Sequence, residues 1–566
     1  TSTGKIIRVV SSMDFQRLLL GSTLAVITYM LVLQWNEDYG TKPVAIEQVS
    51  SVSAYGSTSE NDGDLPTTVA PAPANGDLPA TTSTTIAAVA TSTNGQLITV
   101  NTDVLNVIID SKGGDIIEVS LPLHKALLSE DKPFVLLEQN ADRTYIAQSG
   151  LIGANGPDAQ QTGRPIYTAD SSSYTLTGDT LEVNLQLRTA DNINFTKRYT
   201  FTKGKYTVAL DYIIDNKSSQ AIKTSLFAQI KRGNFEDPTN QTDMGMQSYL
   251  GAVFSTAEDN YQKYDFDDAG EQNFKKVSAD GWVAMVQHYF VSAWVPAAGA
   301  QYTYSTRLKG NELIAGFVSP TIETAAGSTS KVSADFYAGP KDQAQLEATA
   351  PALNLTVDYG WLWWIASPLY WLLTTIHGFL GNWGLAIIGI TITVKAALFH
   401  LNAKAFRSMA KMRKFGPMIA SLKEKHGDDK QSMSKEMMEL YKKEKINPLG
   451  GCLPIVAQMP IFIALYWVLM ESVELRHASF LYLHDLSVQD PYFILPILMG
   501  ASMFIQQSLN PAPPDPMQAK IMKMLPIIFT FFFLWFPAGL TLYWVVNNIL
   551  SIAQQYLINK QIEKSS

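Results

Sequence analysis

Four long stretches of this chain carry no charged side chain: 359–394, 446–470, 491–514 and 524–559. About 20 apolar residues let a helix cross a hydrocarbon layer ~30 Å thick, and in lipid every backbone group must be paired within the helix itself. These runs therefore dictate a multi-pass helical membrane protein. The run from Met524 to Asn559 is too long for one crossing, since 36 residues would make a helix of roughly 54 Å. Phe536-Pro537-Ala538-Gly539 divides it, because proline and glycine both disfavour helix interiors.

Orientation follows from charge. Residues 403–446 hold 12 basic and 6 acidic side chains, whereas 41–350 hold 22 basic and 35 acidic. Basic loops stay in the cytoplasm. If the Trp-rich stretch 359–378 spanned, the basic loop would fall outside. Read as an interfacial amphipathic helix, it leaves six spans with every basic segment inside. The expected spans are 13–36, 381–402, 447–471, 491–510, 521–537 and 540–559, with a cytoplasmic loop at 511–520 and a tail at 560–566. A cleaved signal peptide is the alternative for the first run, but Leu33-Gln34-Trp35-Asn36-Glu37 offers no small-residue cleavage site. Met13 suits an initiator, which makes 1–12 an expected upstream extension.

Outside the membrane, 37–95 reads as a flexible tether rich in Ser, Thr, Ala and Pro. From 96 to 345 short alternating runs separated by turn residues predict a large β-sandwich, with Lys203-Gly204-Lys205-Tyr206 as a hairpin turn. No pair of carboxylates stands out there by spacing, so a scaffold or docking role is the expectation. Inside, 403–446 predicts a helical hairpin turning at His426–Asp429. Met409, Met412, Met433 and Met437 give it an adaptable apolar face, suited to a partner or to packing within the hairpin. The single cysteine, Cys452, excludes an internal disulfide, and no sequence pattern suggests a metal site, a cofactor or a nucleic-acid surface.

Lys395 interrupts an apolar run roughly 18 Å below the outer interface and about 13 Å above the inner one. Placing a charge at such depth costs at least ~2.5–3.5 kcal/mol. Snorkelling of the long stem to the inner headgroups is one explanation. Its surroundings favour another. Thr391, Lys395 and Asn402 share a helix face by spacing, and Thr541, Trp544, Asn548, Ser551 and Gln555 form a polar stripe beside Tyr543 and Asn547. Gln458 and Gln506 add amides on other spans. An aqueous hollow open to the cytoplasm, without a counter-charge of its own, is the expectation.

The motifs MDFQRLLL, VDYGWLWWI, GNWG, SMAKMRK, NPLGGCLPIVAQMPIFIALYWVL, HDLSVQDPYFILPILMG and DPMQAKIMKMLPIIFTFFFLWFPAGLTLYW resemble those of the YidC membrane protein insertase family, in its long Gram-negative form. The resemblance implies five core helices around a hydrophilic groove, an interfacial helix, a cytoplasmic hairpin and a periplasmic β-supersandwich. It implies an inner-membrane insertase and chaperone, not an enzyme. Expected partners are nascent membrane proteins, the lipid bilayer, the Sec translocon and, weakly through basic segments, the ribosome. By motif, Lys395 matches the groove cation, Thr391 a groove residue, and Tyr543 and Trp544 an aromatic pair near substrate, where many relatives have two tyrosines. Cys452, Pro454 and Pro460 match a substrate-contact segment. A solute transporter using Lys395 as an anion or proton site is the rival reading, against which no internal repeat is visible. A membrane-tethered enzyme with its chemistry in the β domain is a third.

Overall fold

The structure, a computed structural model, describes residues 95–160, 163–239, 248–426, 429–443, 453–510 and 516–564. The expected first span, nearly all of the tether, and Cys452 lie outside these residues.

Alternation of apolar and polar residues builds the first part. In Thr207–Asn216, Val208, Leu210, Tyr212 and Ile214 point inward and are buried. This strand pairs with Ile193–Thr202 across the turn at Lys203–Tyr206, where Gly204 adopts φ +70°. An eleven-stranded and a nine-stranded sheet result, antiparallel except where Leu97–Asn101 runs parallel to Ser173–Thr175. The sheets share one apolar core and are stitched by polar contacts. Tyr145 Oη lies 2.8 Å from Ser292 Oγ, and Trp294 Nε1 donates to the Gln229 carbonyl at 3.2 Å. Buried cations are satisfied in two ways: Arg164 bridges Asp115 at 2.8 Å and Asp158 at 2.6 Å, whereas Lys197 donates to the Gly113 and Ser149 carbonyls at 3.0 and 3.1 Å.

Lys341 follows the last long strand, Thr329–Pro340, and leads into a short helix, Gln343–Thr349, capped by Asp342. Beyond it the helices begin. Helix α1 (Trp363–Leu380) buries Ala366, Leu369 and Leu373, three residues on one face by their 3–4 spacing. Its other face exposes Trp364, Trp371 and Phe379. Gly381, at φ +65°, ends α1. Asn382 then caps α2 (Trp383–Ala397) by accepting from the Leu385 N–H at 3.1 Å.

The remaining helices are α3 (Phe399–Lys414), α4 (Gly416–His426), α5 (Lys430–Lys443), α6 (Leu453–Glu471), α7 (Ile494–Ser508), α8 (Pro516–Phe532) and α9 (Ala538–Lys564). Helix α9 packs against α2, α3 and α7, and α8 packs on α7. Gly500 makes that last approach possible, because a Cβ there would meet Thr530 Oγ1 at 1.9 Å.

Two expectations need correction. The segment 381–402 is not one straight helix, for α2 and α3 meet at Leu398 with a 67° bend. Asn402 therefore sits beyond the bend, on α3, not on a continuous face with Thr391 and Lys395. The hairpin has three helices, not two. Its first arm breaks at Phe415, where Pro417 offers no N–H and suits only the first turn of a new helix. Among the described residues no single helix is long and apolar enough by itself to cross a membrane, whereas the bent pair Trp383–Ala397 and Phe399–Arg413 together could.

Candidate functional site

Lys395 lies in the last turn of α2, just before the bend. Its ammonium donates to Ser551 Oγ at 2.7 Å on α9 and to Gln458 Oε1 at 3.4 Å on α6. The Gln458 amide donates in turn to Tyr543 Oη at 3.3 Å and to Asn547 Oδ1. Ser551 Oγ donates to the Asn547 carbonyl at 2.7 Å, which leaves its lone pair for the lysine. One half-exposed cation is thus held by neutral oxygens from two other helices. Among the described residues no carboxylate pairs with it.

The rest of the polar stripe is tied to further helices. Asn548 Nδ2 donates to Ser502 Oγ at 3.0 Å on α7. Gln554 reaches the Phe399 carbonyl at 3.1 Å, and Gln555 reaches Asn510 Oδ1 at 2.9 Å. Asn548, Ser551 and Gln555 are all at most 2% exposed. The expectation that they face an open hollow is not met here. In a low-dielectric bundle an unpaired amide is costly, so each takes the nearest partner across the helix contact. Lys395 and Gln458 remain half-exposed.

The other expected residues divide. Thr391 is buried and bonds its own helix, at 2.6 Å to the Ile387 carbonyl. Gln506 is half-exposed on α7 and stands outside the network. Trp544 wedges between Phe462 of α6, at 5.0 Å, and Phe533 just past α8, at 5.8 Å. Its indole N–H is buried without a partner among the described residues. Pro460 lies inside α6, and Pro454 lies on that helix near its start. Met409 packs with Ala403, Phe406 and Ile558, which joins α3 to α9. Met412 and Met437 are half-exposed, and Met433 lies on α5.

A second polar constellation lies at the far end of α6. Glu471, its last residue, forms an ion pair with Lys341 and accepts from Ser248 Oγ at 2.7 Å. His288 bonds the Met470 carbonyl at 2.9 Å. Tyr370 of α1 donates to Glu474 at 2.6 Å, where burial raises the Glu474 carboxyl above its ordinary value. Sequence reasoning missed this joint between β domain and helices. A lone acid closing an apolar run was its only visible signal.

The amine, amides, hydroxyls and aromatic rings around Lys395 can bind and hydrate a polar segment. They define a membrane-embedded binding bundle attached to a β-sandwich rather than a bond-breaking centre. Comparison with known proteins names the class. Residues 97–372 match the YidC periplasmic domain model, and residues 375–565 match the 60Kd inner membrane protein model. The membrane protein insertase YidC of Marinomonas sp. (strain MWYL1) is 53% identical over 558 residues, covering 98% of this chain and all of that one. That of Pseudomonas fluorescens (strain SBW25) is 50% identical over 98% of this chain and 99% of its own. A solved active YidC insertase with its first transmembrane domain resolved covers 82% of this chain and 95% of that chain, at 17% identity and a TM-score of 0.37. The chain belongs to the YidC family of membrane protein insertases. It is an inner-membrane protein with a periplasmic β-rich domain and a helical C-terminal part, and it is not an enzyme.

Proposed function

We propose that the bundle inserts membrane proteins by offering their polar tails a hydrated groove around Lys395, open to the cytoplasm. The single observation that carries this reading is a cation lodged among neutral partners from α6 and α9. Such a charge is costly in lipid and is repaid when a negative group arrives. Acidic tails of nascent membrane proteins supply that group. Apolar substrate segments then partition into lipid, driven by ~25 cal/mol per Å² of apolar surface removed from water.

The membrane arrangement completes the proposal. Six spans cross the inner membrane, comprising the segment 13–36 and helices α2, α6, α7, α8 and α9, with both termini cytoplasmic. Helix α1 lies in the outer interface with its tryptophans at headgroup level. Three core helices are short. Helices α2 and α7 have 15 residues and α8 has 17, or roughly 22–26 Å against a ~30 Å hydrocarbon core. A short bundle is matched by a locally thinned bilayer, which lowers the barrier for a polar tail. Helices α3 to α5 face the cytoplasm, where their basic side chains meet the ribosome weakly. The Sec translocon is the second partner, used for larger substrates.

Photocrosslinking tests the reading. A photoreactive amino acid at Trp544 should capture a stalled nascent single-span protein. Capture from the lipid-facing position Ile549 alone would move the substrate path off the groove.

A further inference from the structure

We infer that the hairpin formed by Asp115–Lys125 and Pro133–Gln139 docks on the outer surface of the bilayer through Leu123, Leu127 and Leu128. The inference rests on the span arrangement proposed above, which sets the outer end of α6 at the periplasmic interface.

The hairpin outruns the sandwich. Along its first strand Val119 and Leu121 are buried, but Leu123, next in the alternation, is 67% exposed. Strand pairing shifts register between Leu121 and Lys125, where the core ends. The connecting loop adds Leu127 and Leu128, at 45% and 44% exposed. A solvent-facing turn would use Gly, Asn, Asp or Ser at such positions. Three exposed leucines at one tip, among residues 123–128, instead mark a contact surface.

The tip is held rigidly from below. Phe134 stacks on Phe290 with centroids 4.2 Å apart, and His124 sets its edge against the same ring at 5.5 Å. Its charges are already neutralised in pairs, Lys125 with Asp131 and Lys132 with Glu130, both at 3.0 Å. No net charge opposes approach to an anionic headgroup layer.

Its position selects the occupant. Arg476 donates to the Ala126 carbonyl at 2.8 Å, and its guanidinium lies 5.6 Å from the Phe134 ring. Arg476 directly follows the turn Val473–Leu475 that leaves α6. The residue just before Leu127 is thereby fastened next to the outer end of a membrane helix. Lipid is the apolar surface available at that level, and the hairpin becomes a third support for the β domain beside α6 and α1.

The test uses the full chain, Cys452→Ser, in nanodiscs of phosphatidylethanolamine and phosphatidylglycerol. Single cysteines Leu123→Cys, Leu127→Cys and Leu128→Cys carry an environment-sensitive fluorophore, with lipids spin-labelled near the glycerol end of the acyl chain as quencher. Controls are Asp142→Cys in an exposed loop of the β domain and Ile497→Cys on the lipid-facing side of α7. Quenching at 127 and 128 approaching that at 497, with none at 142, is the expected result. Tip positions as unquenched as 142 while 497 is quenched overturn the inference alone. A blue shift without quenching overturns it in favour of a protein contact or a second copy. Absence of quenching at 497 removes the span arrangement and the inference with it.

Discussion

Glu471 and Lys341, 130 residues apart in sequence, form an ion pair in which each side chain is only 2% exposed. The pair joins the last residue of α6 to the end of the final β strand. Helix α6 also carries Gln458, so the outer end of the helix that touches Lys395 is fixed from the periplasmic domain. Removing one partner leaves a buried charge uncompensated, which costs about 3–5 kcal/mol. Lys341→Met and Glu471→Leu should each lower the thermal unfolding midpoint of the purified protein markedly. The double variant should recover most of the loss, because a well-packed apolar pair is often as stable as the buried ion pair it replaces. Additive losses in the double variant would deny the pairing.

Charge at position 395 should matter by sign. Lys395→Arg should keep insertion of single-span substrates with acidic N-terminal tails, and Lys395→Glu should impair it, read by protease protection in vesicles. Equal insertion by wild type and Lys395→Glu would remove the electrostatic role of the lysine.

The burial of Asn548 and Gln555 makes a specific claim about thiol labelling. In a Cys452→Ser background, cysteines at the half-exposed positions Gln458 and Gln506 should react with an impermeant reagent from the cytoplasmic side. Cysteines at Asn548, Gln555 and the lipid-facing Ile549 should react far more slowly, since thiolate formation needs a polar surrounding. Fast reaction at 548 and 555 would mean that the stripe opens in the resting protein.

Insertion should survive loss of most of the β domain. Deleting residues 96–320 removes Ser248 and His288 from the joint but leaves Lys341 to pair with Glu471. Single-span insertion should stay largely intact in that deletion. Complete loss in a stably expressed protein would place the active part outside the membrane.

Acid should loosen the contact between the β domain and the segment that follows α6. His124 is pushed down to about 4, first by burial and then by Arg476 and His477. Burial also holds His288 and His477 below the ordinary histidine value. A histidine neutral in the folded protein and charged when unfolded contributes stability above its unfolded value, near 6.5. That contribution is lost as pH falls from about 6.5 toward 4. His124→Gln should flatten the pH dependence of unfolding across that window, by on the order of 2–3 kcal/mol at its acid end. An unchanged slope would show that His124 does not titrate differently on folding.

How much of this was legible in the sequence varied with distance along the chain. The polar stripe of α9 was visible because helical periodicity is local, and Ser551 does meet Lys395. Which neighbour each stripe residue faces was not visible. Asn547, flanking the stripe, takes Gln458, whereas Asn548 turns to Ser502 on α7. The bend at Leu398 had no glycine or proline to announce it. The Lys341–Glu471 pair was out of reach altogether, since two ordinary charges so far apart carry no local pattern.

The turn between α8 and α9 is held in a different currency from the groove. Ala538 N–H donates to the Val488 carbonyl at 2.7 Å, and Gly539 N–H to the Leu486 carbonyl at 2.9 Å. These are main-chain bonds, available to almost any residue except proline. Side-chain identity does not enter these bonds, so variation among the amides and hydroxyls around Lys395 can retune that network without loosening the turn, where only the crowding around Ala538 and Gly539 restricts what can be substituted.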